Sequence, residues 1–143
     1  MSSQKDPYPE TDLKPIFWAR SVAVVGASTN PAKLGHIITK NILEGGYAGK
    51  IYPINPSGDS ILGLTAYPTL DSIPGDVDLV VFCIPGNLIP GLMTSAAAKN
   101  VRGAIVISGG FREIGNTELE SELIESAKAN GIRLIGPNCQ GVN

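Results

Sequence analysis

Several short stretches of this 143-residue chain combine glycine with small polar side chains, the composition of loops that hold a phosphorylated ligand. In Gly26-Ala27-Ser28-Thr29-Asn30-Pro31-Ala32-Lys33-Leu34-Gly35, Gly26 permits a tight turn and Ser28, Thr29 and Asn30 offer polar groups. A helix beginning near Lys33 would aim its free N–H groups at an anion, a preference worth ~0.3–1 kcal/mol at an exposed helix start. Lys33 itself adds a point charge. The pattern suits a diphosphate. It is not the dinucleotide fingerprint G-x-G-x-x-G, because Gly26 and Gly35 stand nine positions apart. The run Ile51-Tyr52-Pro53-Ile54-Asn55 also lacks the Asp or Glu that would take a ribose 2′-hydroxyl. A nicotinamide-binding module is therefore disfavoured.

Other reactive groups are sparse. His36 is the sole histidine and Cys83 and Cys139 are the two cysteines, too few for a disulfide framework or a zinc cluster. His36 reads as a helix-face residue. Cys83 lies inside an apolar run and reads as core. Cys139 is weighed as a nucleophile, yet the only histidine to activate it is His36, so a buried or site-lining role is expected. Arg112 and Glu113 read as a solvated pair, with Arg112 able to reach an anion. Glu118, Glu120, Glu122 and Glu125 read as the solvent face of a helix.

The elements that must position these loops follow from hydrophobic period. Val22-Ala23-Val24-Val25, Ile51-Tyr52-Pro53-Ile54, Leu79-Val80-Val81-Phe82-Cys83-Ile84, Ala104-Ile105-Val106-Ile107 and residues 132–135 are short apolar runs bounded by turn residues, the mark of buried strands. Between them, Leu34, Ile37, Ile38 and Ile42 predict one helix face, stopped by Gly45-Gly46. Residues 88–99 predict a second helix. Thr117 with Glu120 reads as a capping box opening a third, whose stripe is Leu119, Leu123, Ile124 and Ala127. An edge strand at Thr65-Ala66-Tyr67, a short helix from Thr69 and a helical turn over residues 13–20 complete the pattern. In that turn, Phe17 and Trp18 are expected to cover one end of the core. Strands alternating with helices predict a doubly wound α/β fold, a mainly parallel sheet with helices on both faces. The ligand site of such a sheet lies beyond its strand carboxyl ends. There the chain places the first loop, Asn55-Pro56-Ser57-Gly58, Pro85-Gly86-Asn87, Ser108-Gly109-Gly110-Phe111 and Gly136-Pro137-Asn138-Cys139.

Composition narrows the class. Hydrophobic residues are 43% and charged residues 17%, enough apolar material for a core and too little charge for disorder. Residues 1–12 read as a polar tail and residues 13–143 as one domain. A net charge of −2 argues against general nucleic-acid binding. No stretch approaches the ~20 apolar residues of a membrane span, and no signal peptide is evident. A reducing, cytoplasmic compartment is expected.

Taken in order, Ser21-Val22-Ala23-Val24-Val25-Gly26-Ala27-Ser28, Ile51-Tyr52-Pro53-Ile54-Asn55-Pro56, Ser108-Gly109-Gly110-Phe111-Arg112-Glu113 and Gly136-Pro137-Asn138-Cys139-Gln140-Gly141 resemble a known domain. It is the CoA-binding domain of the NDP-forming acyl-CoA synthetases, the group of ADP-forming acetyl-CoA synthetase and the succinyl-CoA synthetase α-subunit. The resemblance spans residues 13–143 and implies a Rossmann-like fold with coenzyme A as ligand. It puts Gly26, Ser28, Thr29, Asn30 and Lys33 around the CoA diphosphate, with Asn55 and Pro56 beside them. Ile84, Pro85, Ser108, Gly109 and Gly110 would flank the nucleotide and pantetheine, and Asn138 and Cys139 would lie near the thiol.

The implied reaction is acyl-CoA + ADP + phosphate = acid + CoA + ATP. In the family it runs through a phosphorylated histidine on a following domain. These residues stop at Asn143, so the chain is expected to be non-catalytic alone and to work with further synthetase domains or a nucleotide-grasping subunit. A stand-alone CoA-binding regulatory protein is the alternative. The family often carries a basic residue just after the Asn-Pro turn, suited to the CoA 3′-phosphate. Ser57 stands there instead, leaving Lys33 or Lys50 to compensate.

Overall fold

The computed structural model describes residue 16, residues 18–107 and residues 117–136. The apolar runs become five strands: β1 (Ser21–Val25), β2 (Lys50–Ile54), β3 (Leu79–Phe82), β4 (Gly103–Val106) and β5 (Arg133–Ile135). All four pairings are parallel and the order is β2-β1-β3-β4-β5. The doubly wound α/β expectation therefore holds. The chain winds outward from β1 to β2, then crosses β1 to build the other half from β3 onward. That reversal opens a crevice at the carboxyl ends of β1 and β3.

Residue alternation in the strands sends side chains to both faces. Ala23, Val25, Val80, Phe82, Ala104 and Val106 are buried in one cluster with Met93, Ala96, Leu123 and Ala127. These come from α2 (Met93–Ala98) and α3 (Thr117–Ala129). On the opposite face Val22, Leu79 and Val81 pack with Ile16, and Ile38 and Ile42 of α1 (Leu34–Glu44) lie against them.

Three local expectations shift. In α1, Leu34 and Ile37 are exposed at 43% and 42%, while the fully buried residues are Gly35 and Thr39. The face on the sheet is Gly35, Ile38, Thr39 and Ile42, which keeps helical spacing but is turned one residue from the apolar stripe. Thr39 tolerates burial because its Oγ1 donates to the Gly35 carbonyl at 2.7 Å. The predicted helix over 88–99 is broken into two 3-10 turns, Gly86–Leu88 and Pro90–Leu92, before α2 begins. Pro90 has no N–H to bond backward and Gly91 favours no helix, so α-geometry starts only at Met93. Trp18 is 71% exposed, and Ile16 is the residue that enters the core. Trp18 stands in a turn just before β1, which leaves its ring at the surface. Phe17 lies outside the described residues.

Elsewhere the differences are of length. β3 leaves strand geometry after Phe82, although the Cys83 amide still donates to Val25. The Thr65–Tyr67 edge reduces to one bridge between Tyr67 and Ile54, and the helix from Thr69 is a 3-10 turn (Leu70–Ser72) closed by a Thr69–Ser72 capping box. Thr117 opens the described part of α3, and the residues before it, on which the Thr117–Glu120 capping box depends, lie outside the described residues. Its first turn holds Glu118 and Glu120 and its last turn Lys128, the arrangement the helix dipole favours.

Candidate functional site

The first loop is built around two glycines. Gly26 ends β1 with φ +96°, and its amide donates to the Ile54 carbonyl at 3.2 Å. A Cβ there would stand 2.5 Å from the Cys83 carbonyl oxygen, so a side chain would strike the neighbouring strand end as well as strain the backbone. Gly35, in the first turn of α1, would place a Cβ 1.9 Å from the Gly26 carbonyl oxygen. The helix start is thereby pressed against the strand end. Close helix–strand packing of this kind is the work of the last glycine in the dinucleotide fingerprint. Here it is done across a longer loop.

Between the glycines the loop bonds largely to itself. Ser28 Oγ accepts from the Asn30 amide and Asn30 Oδ1 from the Ala32 amide, both at 3.0 Å. Lys33 occupies the N-cap position of α1, exposed, with no side-chain cap and no acidic residue in the first turn. A cation at an uncapped helix start is disfavoured by the dipole unless an anion sits beside it. Thr29 is exposed.

Neighbouring elements fix the loop from outside. Asn55, just past β2, donates through Nδ2 to the Ala27 carbonyl at 2.9 Å. Its Oδ1 accepts from the Ser57 amide at 2.8 Å and from Ser57 Oγ at 2.6 Å. Asn55 thus locks the β2 turn to the first loop. Pro56 and Ser57 are exposed beside it. Sequence reasoning missed His36: its Nδ1 lies 2.8 Å from the Ser28 carbonyl oxygen. The single signal available was its position two residues past the start of α1, one turn from the loop it holds.

At the end of β3, Ile84 is half-buried, Pro85 exposed and Gly86 buried, next to the Gly26 turn. Cys83, expected in the core, is only partly buried just past the end of β3, yet burial still pushes its thiol up to about 12. Gly136 repeats the Gly26 geometry at the far side of the sheet. Its φ is +104° and a Cβ would stand 2.4 Å from the Val106 carbonyl oxygen, where β4 ends. The expected site residues Ser108, Gly109, Gly110, Asn138 and Cys139 lie outside the described residues, as do Arg112 and Glu113.

The structure removes Lys50 from the site. It is the first residue of β2, at the amino edge of the sheet. Five residues of strand, roughly 16 Å, separate it from Asn55. It lines instead a cavity of about 870 Å³ at that opposite end, with Arg20, Asp76 and Asp78. There Asp78 Oδ2 accepts from the Arg20 amide at 2.8 Å. Among the described residues no group of three or more His, Cys, Asp or Glu side chains is arranged to hold a metal ion, and no helix is long and apolar enough to cross a membrane.

Comparison with known proteins bears on this crevice. Residues 20–143 match the family described as CoA binding domain. The chain is 42% identical over 137 residues to acetate–CoA ligase [ADP-forming] II of Archaeoglobus fulgidus, covering 94% of this chain and 20% of that protein. A dinucleotide-forming acetyl-coenzyme A synthetase 1 of Candidatus Korarchaeum cryptofilum, solved with phosphate and ADP, superposes with a TM-score of 0.87 at 42% identity. That superposition covers 91% of this chain and 28% of the synthetase. A conserved hypothetical protein of Pyrococcus furiosus superposes with a TM-score of 0.65 at 32% identity, covering 84% of this chain and 95% of its own. The chain therefore spans less than a third of the length of the synthetases it matches. Since the family match takes in all five strands of the sheet, the chain belongs to the CoA-binding domain family.

Proposed function

We propose that this chain is the CoA-binding module of an ADP-forming acyl-CoA synthetase, and that it receives the CoA diphosphate on the loop between Gly26 and Gly35. The observation that carries the reading is Lys33 at an uncapped start of α1, with no acid in the first turn. That helix end carries uncompensated positive charge, and the Gly26–Gly35 contact holds it at the crevice. Ser28 and Asn30 shape the loop, since their side-chain oxygens are engaged within it. Lys33 and the backbone amides then meet the phosphates. Asn55 reaches into the first loop where a nicotinamide-binding fold would offer an acid to the ribose, which supports CoA over NAD(H).

The module holds CoA and orients its thiol, while acyl and phosphoryl transfer belong to further synthetase domains. The synthetase relatives support that division, because this chain corresponds to 20% of one and 28% of another. The cysteine supply of Cys83 and Cys139 supports a reducing cytoplasm as its compartment. Isothermal titration with CoA, dephospho-CoA and NADH side by side is the test. Heat with CoA and none with NADH is expected; silence with millimolar CoA would refute the reading.

A second reading, a stand-alone CoA-binding protein, is favoured by the Pyrococcus furiosus structure, of whose chain 95% is matched. A natural reading frame that continues past Asn143 into a histidine-bearing domain would decide for the synthetase.

A further inference from the structure

We propose that His36 is a positioning residue of the CoA site: its Nδ1–H holds the Ser28 carbonyl and so presents the Thr29 amide to the ligand diphosphate. The inference rests on the reading that the first loop receives CoA. A carbonyl oxygen has no proton to give, so the 2.8 Å contact requires the proton on Nδ1 of His36. The Ser28–Thr29 peptide is planar and trans, with its C=O and N–H pointing in opposite directions. Fixing the carbonyl toward α1 therefore fixes the Thr29 N–H away from it. That amide has no hydrogen-bond partner among the described residues.

The same loop shows the device a second time. Asn55 Nδ2 holds the preceding carbonyl, that of Ala27, from the β2 side. Two successive carbonyls are thus taken up by side chains of two different elements, α1 and the β2 turn. Ser28 Oγ is already committed to the Asn30 amide, so the hydroxyl does not set the orientation of that peptide toward α1. His36 does. The ring is half-buried against the loop, and its role is to hold that peptide in place.

The test compares wild type, His36→Leu and His36→Asn, the last of which returns an N–H donor near the Nδ1 position. His36→Leu should weaken CoA and dephospho-CoA alike by about fivefold to tenfold, the worth of one lost hydrogen bond. His36→Asn should recover most of that loss, and pantetheine, which has no diphosphate, should bind all three proteins equally. Long-range ring ¹⁵N–¹H correlations of unliganded wild type should show a protonated Nδ1. Wild-type affinity in His36→Leu, equal losses in Leu and Asn variants, or a bare Nδ1 would each overturn the positioning role. The ring spectrum stands even if His36→Leu does not fold. Absence of CoA binding by wild type would instead overturn the reading beneath it, a result visible before any variant is made.

Discussion

Gly35 in the first turn of α1 lies so close to Gly26 at the end of β1 that a Cβ on Gly35 would stand 1.9 Å from the Gly26 carbonyl oxygen. The contact is backbone against backbone, so no side chain can rotate to relieve it. It fixes the distance between the strand end and the helix start, and with it the width of any anion site between them. Gly35→Ala should lower stability by about 3 kcal/mol, a fall in Tm of roughly 10 °C. It should also weaken CoA binding. Gly91→Ala is the control, because nothing lies within 4 Å of its Cβ position, and its Tm should stay near wild type. Equal melting of the two variants would show that the contact yields.

Lys33 should matter electrostatically and Lys50 should not. Lys33 stands at the start of α1, whereas Lys50 opens β2 at the other edge of the sheet. Lys33→Ala should weaken CoA binding by about fivefold to tenfold, with a shallower dependence on salt, as loss of one charge-assisted contact predicts. Lys50→Ala and Lys128→Ala should leave affinity unchanged. Titration at two salt concentrations reads all three.

Ser57 gives a gain-of-affinity test. It is exposed, and its amide and Oγ both donate to Asn55 Oδ1. Ser57→Lys keeps the amide bond that shapes the turn and supplies the basic residue that the family resemblance leads one to expect at this place. CoA should then bind about threefold tighter while dephospho-CoA does not, since only the 3′-phosphate differs. An equal gain for both ligands would place the new charge on the diphosphate instead.

Strands were legible in the sequence because burial on both faces of a parallel sheet demands unbroken apolar runs, and Val22-Ala23-Val24-Val25 satisfies that demand without help from elsewhere. The orientation of α1 was not legible. An apolar stripe reports which residues are hydrophobic, but this helix is seated by its smallest residue, Gly35, and by Thr39 with its hydroxyl bonded to the helix backbone. Leu34 and Ile37 were left outside as a result. The candidate site divides the same way. Gly26, Lys33 and Asn55 could be named from residue type and loop position. The part played by His36 depends on which way one turn of α1 faces the loop, and that follows from the Gly26–Gly35 contact.

Cys83 allows a measurement of burial beneath the site. Its thiol is raised from 9.0 to about 12 by burial alone. The native state therefore holds that proton more tightly than the unfolded chain does. Its contribution to stability is complete below pH 9 and is lost as pH rises from 9 toward 12, where unfolded thiols ionise and the native one does not. Tyr47, raised by burial and then by the charge of Asp78, adds to the decline above the ordinary tyrosine value of 10.0. In a Cys139→Ser background, native protein at pH 8 should react with a thiol reagent far more slowly than free cysteine does. Denaturant midpoints at pH 8, 9, 10 and 11 should fall, and Cys83→Ala should flatten the fall between pH 9 and 10, leaving the portion due to Tyr47. A thiol that reacts rapidly in the native protein would mean that the end of β3, and the Gly26 turn seated on its Cys83 carbonyl, opens readily to solvent.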